Sequence, residues 1–324
     1  MGRNGKTSQQ KSPFLAARPL LVAFFFFLPI ALPGLIGWLN GLLAVPIFLL
    51  FQTAADERKT GRLIGNGLLL AGLGSLLLGR FSMFLFTLTM VPLGYSLHQS
   101  LARRKSLAEA GGAGVMVLGI TWLSFWSAYG ILSGTNPYIG LLTDMDAFME
   151  QVVVVYRTSS DLPADVLYSF EQMIAGVRML LPKILPGLLG GMVLITVCMN
   201  MVICRGLLKK LAPEKACWPP YSAWRLPDKV AWLLILAFAL LLVGKAGGKN
   251  AGTSLLLVSG LLYFFQGVAV VMHTLNRWHL PRAFRLFAYV VLAFQRYGVL
   301  LVAIVGLADT WADFRKLDQE DKTE

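Results

Sequence analysis

Apolar runs long enough to cross a bilayer alternate along this chain with short connectors, and the connectors hold nearly all of the charge. Backbone amides and carbonyls cannot stay unpaired in hydrocarbon, so runs of this kind fold as helices that satisfy their own hydrogen bonds. Composition agrees, with 56% of residues hydrophobic and 14% charged, far from a soluble domain. The expected fold class is all-α, a polytopic transmembrane helical bundle whose first partner is the lipid bilayer.

About nine spans are expected, at 19–32, 36–54, 63–79, 81–98, 111–132, 186–208, 230–244, 251–275 and 287–308, and eight to ten fit the same pattern. The stretch 19–54 also reads as one kinked hairpin interrupted at Pro29, Pro33 and Gly34. The expected organisation is a cytoplasmic basic tail 1–18, a six-span bundle 19–208 that includes an external loop 133–185, a cytoplasmic Pro/Trp connector 209–229, three further spans in 230–308, and a polar C-terminal tail 309–324. With the N-terminus in the cytoplasm, inner segments carry 19 lysines and arginines and outer segments nine, which is the bias that sets orientation. An odd number of spans then leaves the tail with Asp318, Glu320, Asp321 and Glu324 outside. The net charge of +12 lies in these loops and forms no aromatic-interleaved face for nucleic acid.

The connection from Ser133 to Lys183 carries six acidic residues against three basic ones. Within it Val166, Leu167, Phe170, Met173, Ile174, Val177, Leu180 and Leu181 keep a helical period after a start signal at Asp161 and Pro163. An amphipathic helix lying on the outer membrane face, or capping the bundle, is expected there. The connector from Cys217 to Pro227 is too proline-rich for a continuous helix, and its tryptophans and tyrosine suit the headgroup region.

Few polar residues interrupt the spans. Arg296 falls near the middle of the last run, where an arginine costs at least ~2.5–3.5 kcal/mol on insertion scales and so should face protein or water. Ala293, Ala303 and Tyr289 lie close to its helical face. On the eighth span Ser259, Tyr263, Gln266 and His273 share one face, which either lines a cavity or joins helices through hydrogen bonds. Asn200 on the sixth span and Asn40 on the second are supporting members of this candidate intramembrane polar site. Gly67, Ala71, Ser75 and Gly79 recur every fourth residue and make a small-residue face for helix packing.

Chemistry-bearing patterns are missing. His98, His273 and His279 lack metal-ligand spacing, and Cys198, Cys204 and Cys217 show neither a metal pattern nor an even disulfide count. No nucleophile elbow or metalloprotease helix occurs, so no catalytic residue, metal or cofactor is expected. Asp309 and Asp313, followed by Arg315 and Lys316, read as a solvated helix end.

Arg225-Leu226-Pro227, Asn250, the run Phe264-Phe265-Gln266-Gly267-Val268-Ala269, the ending Gly306-Leu307-Ala308-Asp309 and Phe314-Arg315-Lys316 together resemble the uncharacterised bacterial membrane family called YybS, a domain of unknown function. That family is in turn similar to substrate-binding subunits of energy-coupling-factor transporters and to the rod-shape protein MreD. The resemblance implies a multi-pass protein of the bacterial cytoplasmic (inner) membrane, with a substrate-binding-subunit-like bundle at 19–208. The function expected is binding a small solute or helping to transport it, which would require separate coupling or ATPase subunits because no ATPase motif is present. The alternative is a non-transporting scaffold for cell-envelope or division proteins, with envelope-assembly proteins as partners.

Overall fold

The computed structural model describes residues 13–54, 56–158, 163–215, 217–278, 281–295 and 297–315, and among them it contains helices and no strand. In chain order these are α1 (Pro13–Ala31), α2 (Pro33–Ile36), a 3-10 helix at Gly37–Leu42, α3 (Ala44–Thr53), α4 (Glu57–Leu77), α5 (Phe81–Leu88), α6 (Met90–Ala102), α7 (Leu107–Ser133), α8 (Pro137–Thr158), α9 (Ala164–Leu211), α10 (Ala231–Val243), α11 (Ala246–Arg277), α12 (Arg282–Phe294) and α13 (Gly298–Ala312). Short 3-10 turns at Tyr221–Ala223 and Asp228–Val230 take the proline-rich connector past its prolines.

Among the described residues four helices are long and apolar enough to cross a membrane: Phe81–Ala102, Leu107–Ser133, Ala164–Leu211 and Gly247–Arg277. A fifth crossing results if Pro19–Ala31 and Pro33–Leu42, bent by 100°, are one broken span. The nine expected runs exceed this number for visible reasons. Helix α4 opens on Glu57, Arg58, Lys59 and Arg62, α10 has 13 residues, and the run 287–308 is divided between α12 and α13.

The chain forms two compact units, and α7 and α9 contribute to both. The first takes the described residues up to Lys105 together with 116–121 and 196–217. In it α1 packs on α4, where Gly67, Ala71 and Ser75 are buried. A Cβ on Gly67 would lie 2.7 Å from the Pro19 carbonyl oxygen, so only glycine allows this approach. Gly79 departs from the expected stripe: it lies past the end of α4 with φ +66 in the left-handed region and nothing within 4 Å of a Cβ. It turns the chain into Arg80, whose Nη1 donates to the carbonyls of Ile30 and Ala31 at 2.8 and 2.9 Å. Helix α1 breaks before Pro33, which brings no N–H to continue it, and Arg80 satisfies carbonyls left open by that break.

The second unit takes 106–115, 122–195 and the described residues from Trp218 onward. Here the amphipathic segment, expected to lie on the outer membrane face or to cap the bundle, is helical and continuous with the sixth apolar run, within the 48 residues of α9. It pairs antiparallel with α8, through a Tyr156–Phe170 stack at 4.3 Å and ion pairs of Arg157 with Glu171 and of Arg178 with Asp146 and Glu150. Pro186 within α9 cannot donate to the Pro182 carbonyl, and Tyr138 Oη takes over at 3.1 Å. The remaining core of this unit is α11, packed between α10 and α13.

Candidate functional site

Helices α11 and α13 cross at two glycines. A Cβ on Gly267 would sit 1.8 Å from the Val302 carbonyl oxygen, and one on Gly306 would sit 2.0 Å from that of Tyr263. Backbones that close bring the next polar side chains together. Gln266 on α11 is fully buried, and its Nε2 donates to Asp309 Oδ2 at 3.1 Å and to Thr310 Oγ1 at 3.5 Å. Its Oε1 accepts from the backbone N–H of Leu226, at 3.3 Å, in the connector.

The acidic partner is held from the other side. Helix α13 ends at Asp313, whose φ of 39 is left-handed, and the turn sends Arg315 back along the helix. Arg315 Nη2 donates to Asp309 Oδ2 at 2.7 Å, with both side chains 1% exposed. Its Nη1 donates to the carbonyls of Ser222 and Trp224, each at 2.8 Å. Arg225 reaches the Thr310 carbonyl at 3.4 Å, and Tyr221 Oη donates to the Phe265 carbonyl at 2.8 Å. The connector is thereby pinned to both helices, with Trp224 and Leu226 packed against Tyr263 and Ala269.

This corrects two expectations. Asp309 and Arg315 are not a solvated helix end, because the left-handed turn folds them into a buried ion pair. The connector's Trp218 and Trp224 are 4% and 7% exposed, so protein covers the rings expected to meet headgroups. Asp309 Oδ1 and Arg315 Nε are buried with no hydrogen-bond partner among the described residues, so the cluster is held without being saturated.

The residues singled out from sequence sort as follows. Ser259 is buried and returns its hydroxyl to the Leu255 carbonyl at 2.8 Å, Tyr263 lies in the connector's apolar seat, and Gln266 forms the clamp. Their shared face joins helices. Asn200 and Asn40 belong to the first unit, where Asn200 Nδ2 donates to the carbonyls of Gly41 and Thr196 at 2.6 and 2.8 Å. Arg296 lies outside the described residues. Of the described residues on either side, α12 ends at Phe294 and α13 starts at Gly298.

A family model described as "Predicted membrane protein (DUF2232)" matches residues 20–310. The chain belongs to that family. The match agrees with the YybS-like resemblance, and the short motifs that carried the resemblance are the parts of the clamp: Arg225 and Leu226 from the connector, Gln266 and Gly267 from α11, Gly306 and Asp309 from α13, and Arg315 beyond it. No curated protein and no solved structure matches the chain. Sequence reasoning found Gln266 by its helical stripe and missed Asp309 and Arg315, whose signal was their joint presence in the same set of motifs.

Proposed function

We propose that this is a non-enzymatic scaffold of the bacterial cytoplasmic membrane, which gathers envelope-assembly or division proteins on the helical hairpin α8–α9. One observation carries the reading. Helix α9 has 48 residues, about 72 Å at 1.5 Å per residue, whereas the hydrocarbon core is about 30 Å thick. The surplus is the N-terminal part paired with α8, where the charged pairs lie. Yet Val166, Met173, Val177 and Leu180 make an apolar line there and are 42–56% exposed. With the crossing taken at the sixth apolar run, 186–208, that line falls outside the hydrocarbon, where a protein surface can cover it. The polar face of α11 supports the same reading, since Gln266 and Ser259 bond to the chain itself.

In this arrangement the N-terminus is cytoplasmic and the hairpin external, and the C-terminal end of α13 lies with the connector on the cytoplasmic side, because Arg315 bonds to the carbonyls of Ser222 and Trp224; the external C-terminus expected from an odd number of spans does not fit the clamp. The test is photo-crosslinking in cells from positions 173 and 180 of the full-length chain. Adducts with defined envelope proteins, abolished by Val177→Glu, are the expected result. Adducts with lipid alone from both positions would refute it.

The second reading is solute binding with separate coupling or ATPase subunits. It is favoured by the broken span at 19–42, because irregular backbone at membrane depth is otherwise tolerated only inside protein. Reproducible co-purification of an ATPase and its coupling subunit would support it, and transport assays without them should be blank.

A further inference from the structure

The hairpin α8–α9 has two unlike flanks. Its register is set by the Tyr156–Phe170 stack and by the ion pairs of Arg157 with Glu171 and of Arg178 with Asp146 and Glu150. At about 100° per residue, Asp146, Glu150 and Arg157 lie to one side of the buried Met149 and Val153 on α8, and the exposed Phe148 and Val155 lie to the other. On α9, Glu171 and Arg178 lie to one side of the buried Leu181, and the exposed Val166, Met173, Val177 and Leu180 to the other. The ion pairs join the charged flanks, so the apolar flanks of the two antiparallel helices fall on one side as well. Counting from those pairs, Val155 is level with Met173 and Phe148 with Leu180. Both helices thus build a single apolar strip, with Phe148 and Val155 seven residues apart and Val166, Met173 and Leu180 at the same spacing, which suits a surface that another helix packs along.

We propose that this two-helix strip is the docking surface of the hairpin, and that its occupant is an amphipathic helix of the partner protein, apolar on the docked face and rimmed by lysine or arginine. This rests on the scaffold reading and names the partner's chemistry. Shape selects a helix. Two antiparallel helices that carry apolar residues on a flank as well as in their seam form two sides of a bundle, and what lies along such a pair is a further helix. From Val166 to Leu180 the strip runs about 21 Å at 1.5 Å per residue. Charge selects the kind of helix. Among the described residues of the hairpin, Asp144, Asp146, Glu150, Asp165 and Glu171 stand against Arg157, Arg178 and Lys183, and the ion pairs engage both arginines. Asp144, Asp165 and Lys183 remain. A second copy would set two net-negative surfaces side by side, whereas a basic rim meets the opposite sign.

The experiment places benzoylphenylalanine in the full-length chain in cells at position 148, 155, 173 or 180, with 154 and 168 as exposed positions on the other flank, and maps each adduct by mass spectrometry. All four strip positions are expected to join one segment of one protein, at residues that recur every three, four or seven positions with lysine or arginine at the edges, while 154 and 168 do not join it. Val155→Glu on α8 should abolish the adducts made from 173 and 180 on α9. Oxidative cross-linking of Tyr156→Cys with Phe170→Cys in the Val155→Glu background checks that the hairpin still folds. Adducts with lipid, with a second copy of this chain, or with different proteins from the two helices overturn the proposal, as do a partner segment with acidic rims or without helical spacing and undiminished adducts in Val155→Glu. If 173 and 180 alone capture envelope proteins, the two-helix strip fails and the scaffold reading stands; lipid alone from 173 and 180 defeats that reading itself.

Discussion

Removing Arg315 should release the connector from the helices beneath it. The Asp309–Arg315 pair has both side chains 1% exposed at 2.7 Å, and deleting one member of such a pair costs about 3–5 kcal/mol because it leaves a buried charge without its counter-ion. Arg315→Met also strips a donor from the carbonyls of Ser222 and Trp224. Asp309→Asn should cost less, since the guanidinium keeps those two carbonyls. In the double variant neither charge remains, so its loss should fall short of the sum by about 1–3 kcal/mol. The measurement is reversible unfolding in mixed micelles for the four proteins, with iodide quenching of tryptophan as the local readout. Trp218 and Trp224, 4% and 7% exposed, should become accessible in Arg315→Met before the helices unfold. Additivity within about 0.5 kcal/mol, or tryptophans that stay protected, would refute the clamp.

Gly306→Ala should force α11 and α13 apart, because its Cβ starts 2.0 Å from the Tyr263 carbonyl oxygen; overpacking of this kind typically costs about 1–3 kcal/mol, and Tm in detergent should fall with loss of tryptophan protection. In a background lacking Cys198, Cys204 and Cys217, the pair Tyr156→Cys with Phe170→Cys should cross-link under oxidation, so that trypsin cutting after Arg157 leaves the fragments joined; separable fragments would contradict the antiparallel hairpin. Asp56 caps α4 by accepting from the N–H groups of Arg58 and Lys59, and chiefly the Lys59 bond holds its carboxyl below the usual range. A lowered folded pKa means that the cap contributes above the unfolded carboxylate pKa and is lost as pH falls through the folded one. The protection factors of the amides from Arg58 to Thr60, taken relative to the intrinsic exchange rate at each pH, should therefore fall on acidification, and Asp56→Asn, which caps without titrating, should abolish that dependence.

The class of this fold and most helix positions were legible in the sequence because hydrocarbon permits so few alternatives. Where the chain was harder to read, the deciding interaction was not periodic. A hydropathy run does not show that one apolar stretch is shared between α12, ending at Phe294, and α13, starting at Gly298, and a charge beside a helix end looks solvated until a left-handed residue folds it inward, as Asp313 does for Arg315. The same limit explains α9: its period identified an amphipathic helix, while its continuity across Pro182 and Pro186 depends on Tyr138, 44 residues before the carbonyl it satisfies.

The clamp and the broken span are two answers to one problem. Each uses side chains to replace backbone hydrogen bonds that proline, glycine or a turn has removed. In the second unit Gln266 and Arg315 spend their polar ends on the connector, leaving only Asp309 Oδ1 and Arg315 Nε over. In the first, Arg80 closes the end of α1 and Asn200 closes Gly41, yet the oxygens of Asn40 and Asn200 face no donor among the described residues. Polar groups bound to the chain itself hold structure, and in each unit a buried acceptor stays unfilled among the described residues, Asp309 Oδ1 in the one and Asn200 Oδ1 in the other. Both devices spend polar side chains on the fold itself, which leaves the exposed apolar line of α9 as the place to search for protein partners.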